Sequence, residues 1–467
     1  MDRHVSLNYA GGLFAPGVKP SLSRRTERKG GVLAARDGNP PTPSVSYSSA
    51  TNRDRRYFFA IVICYMTLAT LPTLVRAVSA GRRPPGVYGG GALYDTALAT
   101  RIQYAALIGI VVCCAAAIVT RKKGTPPSEL QLSAIGLTLC VGAFSLIAIY
   151  RDNDVVQSEQ AEQAVKLAVN LLVVVALSSI TIRREDLTIL AHCGALVAAI
   201  SLTLAVASES AWMYGTLESD RTKGILTSGV LAGPYHQMNS LGMTLAIALP
   251  FAALIRRTQV RWFYFGLIIF TLLLSASRTA IIAVCLAGTV GLFVRLIGSN
   301  KGKRLAYLLS AIGIASISIV LPWVVNDPDK FTRRGEIWLE SRFAIGESPF
   351  IGWGFNAFGS GSLVSDRLGK SIFAAHNLFL HYFVIGGLLG IMIILLFLAW
   401  VAARVLSLEP FDPVLSSFVL IILVLTIAEM PFQLESTTGQ NWIAWPALIA
   451  TGMMAGSRNL SSQMRQC

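Results

Sequence analysis

The sequence predicts an all-α polytopic membrane protein, and three observations lead to this fold class. Hydrophobic residues make up 53% of the 467 residues and charged residues only 14%, whereas about a quarter of an average soluble protein is charged. The mean hydropathy is +0.58. The apolar residues are grouped into runs near the ~20 residues that cross a bilayer as a helix. Disordered, fibrous and small disulfide-linked chains are thereby excluded.

We predict about 12 transmembrane helices from runs of this length. Residues 1–56 precede them and are rich in Gly, Pro, Ser and Arg, which predicts a disordered basic cytoplasmic tail. The transmembrane domain is expected at 57–457 and a cytoplasmic C-terminal tail at 458–467. The predicted spans are 57–76, 97–119, 130–150, 163–181, 187–207, 238–255, 261–276, 279–297, 304–325, 376–403, 414–430 and 441–457.

The distribution of basic residues predicts the orientation. Lys and Arg number 40 against 25 Asp and Glu, a net charge of +15. Basic loops such as 121–124, 256–261 and 295–304 are expected to face the cytoplasm, which accounts for the charge without a nucleic-acid partner. An even number of spans places both termini in the cytoplasm. The stretch 326–375 then becomes a long periplasmic loop between helices nine and ten.

The sequence SASR at 275–278 places a charge between two apolar runs. Because a charged group at membrane depth is costly, Arg278 is a functional candidate. The alternative is an arginine that reaches the lipid headgroups and has no other role.

The long loop carries two motifs. In TRRGEIWLESRFAI (332–345), helical spacing puts Arg334, Trp338 and Arg342 on one face of an amphipathic helix. A plain surface helix at the membrane would also account for this pattern. A turn-rich stretch with Gly352 and Gly354 follows. No strand precedes it, so a dinucleotide site is not expected.

Polar residues open two of the predicted spans. His376 and Asn377 precede a long apolar helix, and a helix N-terminus favours a neutral imidazole, which can act as a general base. His236 and Asn239 lie in GPYHQMNSLG and could line a polar cleft. A structural histidine and a helix cap are the respective alternatives. These motifs contain no carboxylate cluster for a metal ion, so we expect no metal and no cofactor.

Taken in order, SASRTA, RRGEIW, ESPFIGWGFNAF and HNLFLHYF resemble the O-antigen ligase and polysaccharide polymerase superfamily. The segment containing Asn239 is similar to a divergent form of the family's Pro-Asn segment. The resemblance covers roughly residues 220–400 by motif and the remainder by hydropathy alone.

The resemblance implies a GT-C-like glycosyltransferase of the bacterial inner membrane, metal-independent and inverting, with an active site on the periplasmic side. Its donor would be a glycan linked to undecaprenyl pyrophosphate, and its acceptor would be lipid A–core or a growing glycan. Membrane lipids would surround the protein. Arg278 and Arg334 would hold the donor pyrophosphate, and His376 would deprotonate the acceptor hydroxyl. Arg333 or Arg342 could assist.

The other candidate residues would bind or enclose substrate: Trp338, Asn377, Asn239, His236, Gly352 and Gly354. Ligase and polymerase activities share this donor chemistry, and the sequence does not separate them. The alternative class is a twelve-helix transporter or a flippase for lipid-linked glycans. It predicts charged residues at mid-membrane in several spans, whereas most charges here lie in loops.

Overall fold

The computed structural model describes residues 47–79, 96–120, 157–213, 229–358, 363–368, 374–433 and 436–454, together with residues 136, 224 and 372. The chain divides into residues 1–46 and 47–467, and all described residues belong to the second unit. The tail prediction for 1–46 and the prediction for 458–467 lie outside the described residues.

The described chain is almost entirely helical. Short 3₁₀ turns occur at Arg184–Leu187, Glu209–Ala211 and Phe355–Phe358, and a two-stranded antiparallel ribbon pairs β1 (Trp212–Met213) with β2 (Val230–Leu231). The α-helices are α1 Tyr47–Ser79, α2 Ala97–Val119, α3 Gln157–Ser179, α4 Thr188–Ala207, α5 Met238–Ala252, α6 Thr258–Ser275, α7 Arg278–Leu296, α8 Asn300–Val324, α9 Lys330–Glu347, α10 Leu363–Leu368, α11 Leu378–Leu406, α12 Pro413–Leu425 and α13 Asn441–Met454.

The all-α polytopic membrane fold is confirmed. Within the described residues, 8 helices are long and apolar enough to cross a membrane. A helix occupies every predicted span except 130–150, which lies outside the described residues apart from residue 136. The total of twelve spans and the GT-C-like arrangement stay predictions.

Several observed helix boundaries differ from the predicted ones. Helix α1 begins at Tyr47, so residues 47–56 are helical, whereas the sequence predicted disorder for them. The predicted span 414–430 ends early, because α12 stops at Leu425 and residues 426–429 form a turn.

Three short helices form the centre of the bundle. Helices α5, α12 and α13 have 15, 13 and 14 residues, and almost every side chain along them is buried. A helix that is apolar on all sides is stable only when other helices surround it. Longer helices such as α2, α7 and α8 lie outside and expose leucine, isoleucine and valine side chains, as expected of surfaces that face lipid.

Ion pairs hold the end of the bundle at which α12 begins. Asp412 caps the N-terminus of α12 and pairs with Arg184. The guanidinium of Arg256 lies 2.8 Å from Glu185, on the same 3₁₀ turn as Arg184. Arg304, near the start of α8, lies 3.0 Å from Glu409. Helices α6 and α8 therefore begin at this end, and their C-termini lie at the other.

Helix α11 is interrupted at Gly387, whose φ is +58° and ψ −154°. The backbone groups that the break frees are paired by the preceding loop. Trp353 N donates to Val384 O at 2.8 Å and Gly354 N to Ile385 O at 2.9 Å, while Leu388 N donates to Pro349 O at 2.8 Å. A broken helix is tolerated at membrane depth when its backbone groups are satisfied in this way.

The close approach of this loop to the break in α11 depends on Gly352. Its φ is +65°, and a Cβ placed there would lie 2.4 Å from Gly386 N. We expect Gly352→Ala to lower the free energy of unfolding by about 3 kcal/mol, since it adds strain and overpacking. The measurement is the thermal unfolding midpoint of purified protein in detergent.

Gly346→Ala is the matched control, because Gly346 lies within α9 and a Cβ placed there would meet no other atom within 4 Å. This variant should be neutral or slightly stabilised. Equal midpoints for both variants would contradict the account of the loop and the broken helix.

Candidate active site

The serine–arginine turn separates α6 from α7. Ala276 adopts a left-handed conformation with φ +48°, which ends α6, and α7 begins at Arg278. Arg278 is exposed and lies beside the first backbone N–H groups of α7. A guanidinium beside a helix N-terminus attracts anions, because both carry positive charge.

The segment with Asn239 lies against this turn. Asn239 is in the first turn of α5, and a Cβ at Gly242 would lie 2.3 Å from Ser277 Cβ, so α5 packs directly on the turn. Asn239 and His236 are half-buried. The structure therefore brings this patch next to Arg278, at the end of the bundle opposite Asp412.

The backbone of α9 is irregular in its first turn. Phe331, Thr332 and Arg333 have positive φ values of 54°, 62° and 66°, so the regular helix begins at Arg334. The change of direction leaves Arg333 exposed and turns Arg334 inward, with 15% of its side chain exposed.

Arg334 and His376 meet at Glu429. The Arg334 guanidinium donates to Glu429 Oε1, and His376 Nδ1 lies 3.7 Å from Glu429 Oε2. Glu429 is in the turn after α12 and is 3% exposed. His376 itself has φ +52°, an uncommon conformation for a residue other than glycine. A cation, a carboxylate and an imidazole thus come together from three parts of the chain.

The residues on both sides of His376 are fixed. Trp338 is fully buried, and its Nε1 donates to Ala375 O at 2.9 Å. Asn377 accepts a hydrogen bond from Leu380 N at 2.8 Å and so caps α11. Its Nδ2 donates to Ser318 O at 2.8 Å. Trp338 and Asn377 therefore fix the backbone of residues 375–377, the histidine segment.

Arg342 points elsewhere. Its guanidinium donates to Trp323 O at 2.8 Å, to Val325 O at 3.1 Å and to Asn326 Oδ1 at 3.2 Å. These acceptors lie at the C-terminus of α8, where the last carbonyls have no partner within the helix. Arg342 shares a helix with Arg334, but its hydrogen bonds make it a helix cap.

Gly352 and Gly354, predicted to bind or enclose substrate, have a structural role in this fold. Gly352 packs on the break of α11, and Gly354 N donates to Ile385 O at 2.9 Å. This pairing fixes the chain that leaves α9. Neither contact involves the cluster around Glu429.

Glu429 is the residue that sequence reasoning missed. It lies at the end of a predicted span, in AEMP at 428–431. An ionisable residue inside an apolar segment is itself a functional signal, and that signal was available. What the sequence does not contain is its pairing with Arg334, which is separated from it by 95 positions.

The fold and this cluster define a polytopic membrane protein with a buried ionic site at one end of its helical bundle. Residues 263–395 match the model of the O-antigen ligase family. The match confirms the resemblance to the O-antigen ligase and polymerase superfamily, and it supports a ligase or polymerase type of function in general. It includes Arg278, Arg334 and His376. Comparison with curated proteins finds no match.

The geometry of Arg342 leads to a prediction that separates a cap from a substrate ligand. We expect Arg342→Ala to lower the free energy of unfolding by about 1–3 kcal/mol, because the carbonyls that end α8 lose their donor. The thermal unfolding midpoint measures this change.

Arg295→Ala is the control, since Arg295 is exposed in the last turn of α7, and it should change stability by no more than about 0.5 kcal/mol. An unchanged midpoint for Arg342→Ala would return Arg342 to the candidates for substrate binding.

Proposed function

We propose that this protein transfers a glycan from undecaprenyl pyrophosphate to an acceptor hydroxyl at the periplasmic face of the bacterial inner membrane. The match to the O-antigen ligase family supports the type of reaction. The observation that carries the proposal is the juxtaposition of Arg334, Glu429 and His376 at the end of the bundle that also holds Arg278.

His376 is the proposed general base. The acceptor hydroxyl gives its proton to the imidazole while its oxygen forms a bond to the anomeric carbon. The bond between that carbon and the phosphate oxygen breaks, and the lipid pyrophosphate leaves with the electron pair. Attack opposite the leaving group inverts the configuration of the sugar. General base catalysis of this kind contributes about 10²–10⁴-fold to a rate.

Two arginines are proposed to hold the donor pyrophosphate without a metal ion. Arg278 combines its guanidinium with the N-terminus of α7. Arg334 donates one N–H group to Glu429 and has further N–H groups that can reach phosphate oxygens, because a guanidinium carries five. Both would stabilise the negative charge that develops on the leaving group. Arg333, exposed next to Arg334, is proposed to assist them.

The proposed acceptor is lipid A–core for a ligase or a growing glycan for a polymerase. Asn239 and His236, beside the serine–arginine turn, are proposed to bind substrate there. In this orientation both chain termini are cytoplasmic, and the ion pairs around Asp412 lie at the cytoplasmic end.

Glycan profiles of a deletion strain test the proposal. We expect His376→Ala and Arg278→Ala, each expressed in that strain, to reduce transfer at least ~10²-fold while protein abundance stays near normal. The measurement is gel profiling of lipopolysaccharide and of free lipid-linked glycan. Arg257→Ala, an exposed arginine that precedes α6 at the opposite end, is the control and should restore the wild-type profile.

The profile also separates the two activities. Loss of long glycan from lipid A–core, with lipid-linked polymer accumulating, identifies a ligase. A single repeat still attached to the core identifies a polymerase. Full activity in both variants, or a deletion strain with an unchanged profile, would contradict the proposal and favour a transporter.

A further inference from the structure

We infer that Glu429 is a positioning residue, which holds the imidazole of His376 and the guanidinium of Arg334 at one point so that base and donor phosphate meet at the same sugar carbon. This inference rests on the proposed function. It adds a residue outside the range that matches the family model, which ends at 395.

The burial of Glu429 indicates that its charge has a functional role. Its side chain is 4% exposed, and a buried carboxylate is costly unless cations and hydrogen bonds compensate its lost hydration. The ionisable groups beside it are Arg334 from α9 and His376, which lies just before α11. From α8, the uncharged side chain of Ser318 bonds to Thr426 at the start of the same turn.

The contact selects one nitrogen of the imidazole. Nδ1 faces the carboxylate at 3.7 Å, longer than a hydrogen bond, and such catalytic contacts often shorten only when substrate binds. A carboxylate at Nδ1 favours the tautomer with its hydrogen on that atom. Nε2 then keeps the lone pair and is the nitrogen that can accept the acceptor's proton.

The backbone of the Glu429 turn is tied to the histidine segment. Leu378 N donates to Thr426 O at 3.2 Å, and Asn377 Nδ2 donates to Ile427 O at 3.0 Å. The turn and the start of α11 therefore form a single unit. Since these two bonds do not involve the Glu429 side chain, a change confined to its carboxylate removes neither of them.

The same carboxylate balances charge during the reaction. Before proton transfer, Arg334 and Glu429 neutralise each other and His376 is uncharged. After transfer the imidazolium is positive, and Glu429 lies beside it, while the leaving pyrophosphate is stabilised by the arginines. The carboxylate does not take the proton, so it acts through His376 and Arg334 and not on substrate.

Glu429→Gln tests the inference, because glutamine keeps the shape and removes the charge. With purified protein and lipid-linked donor, we expect kcat to fall about 10²-fold and the KM for donor to change less than ~3-fold. Glu340→Gln is the matched control. Glu340 is a half-buried carboxylate on α9, and this variant should retain the wild-type kcat.

Two further variants separate positioning from folding. Glu429→Asp keeps the charge but withdraws it by one methylene, so its kcat should also fall while its thermal midpoint stays near that of the wild type. In a His376→Ala background, Glu429→Gln should cost almost nothing more, since both changes disable one unit. An equal loss with and without His376, or a loss explained by a lower midpoint, would overturn the inference.

The failure of this inference differs from the failure of the proposed function. If Glu429→Gln keeps full activity while His376→Ala loses at least ~10²-fold, Glu429 has no positioning role and the base assignment stands. If His376→Ala keeps full activity, the proposed base is wrong whatever Glu429 does.

Discussion

The need to compensate a buried negative charge organises one end of this molecule. Glu429 lies in an apolar environment just beyond α12, and a carboxylate there is stable only beside cations. Arg334 reaches it because α9 turns inward at that residue. His376 reaches it because the chain bends there, with φ +52°, directly before Asn377 caps α11. The start of regular helix in α9, the residues before α11 and the turn after α12 thereby meet at one point.

Unusual backbone conformations accompany this arrangement. The residues other than glycine that have positive φ, within the described part of the chain, are Ala276, Phe331, Thr332, Arg333 and His376. They precede Arg278, precede Arg334, or form the proposed base itself. Such conformations persist only where the surrounding structure enforces them, and they cluster at functional sites. Buried Trp338 and Asn377 supply that enforcement next to His376.

The sequence predicted the helices well and the contacts between distant segments poorly. Runs of apolar residues locate α2, α4 and α7 because a bilayer selects for length and hydropathy. The same signal placed the end of α12 too late, since the residues around Glu429 are apolar although the backbone turns there. Helical spacing also put Arg342 on the face of Arg334 and Trp338, but it did not reveal that the end of α8 uses that guanidinium. Only the tertiary structure shows that Arg334, His376 and Glu429 meet.

The central claim is that this end of the bundle breaks a bond between a glycan and a lipid pyrophosphate. The most direct measurement is a reaction of the purified protein in detergent with undecaprenyl-pyrophosphate-linked glycan and acceptor, in which released lipid pyrophosphate and glycosylated acceptor are both quantified. Our account predicts that the two products form in equal amounts with wild-type protein and that their yield falls at least ~10²-fold with His376→Ala. Donor that stays intact, together with movement of intact donor across the bilayer of proteoliposomes, would contradict it.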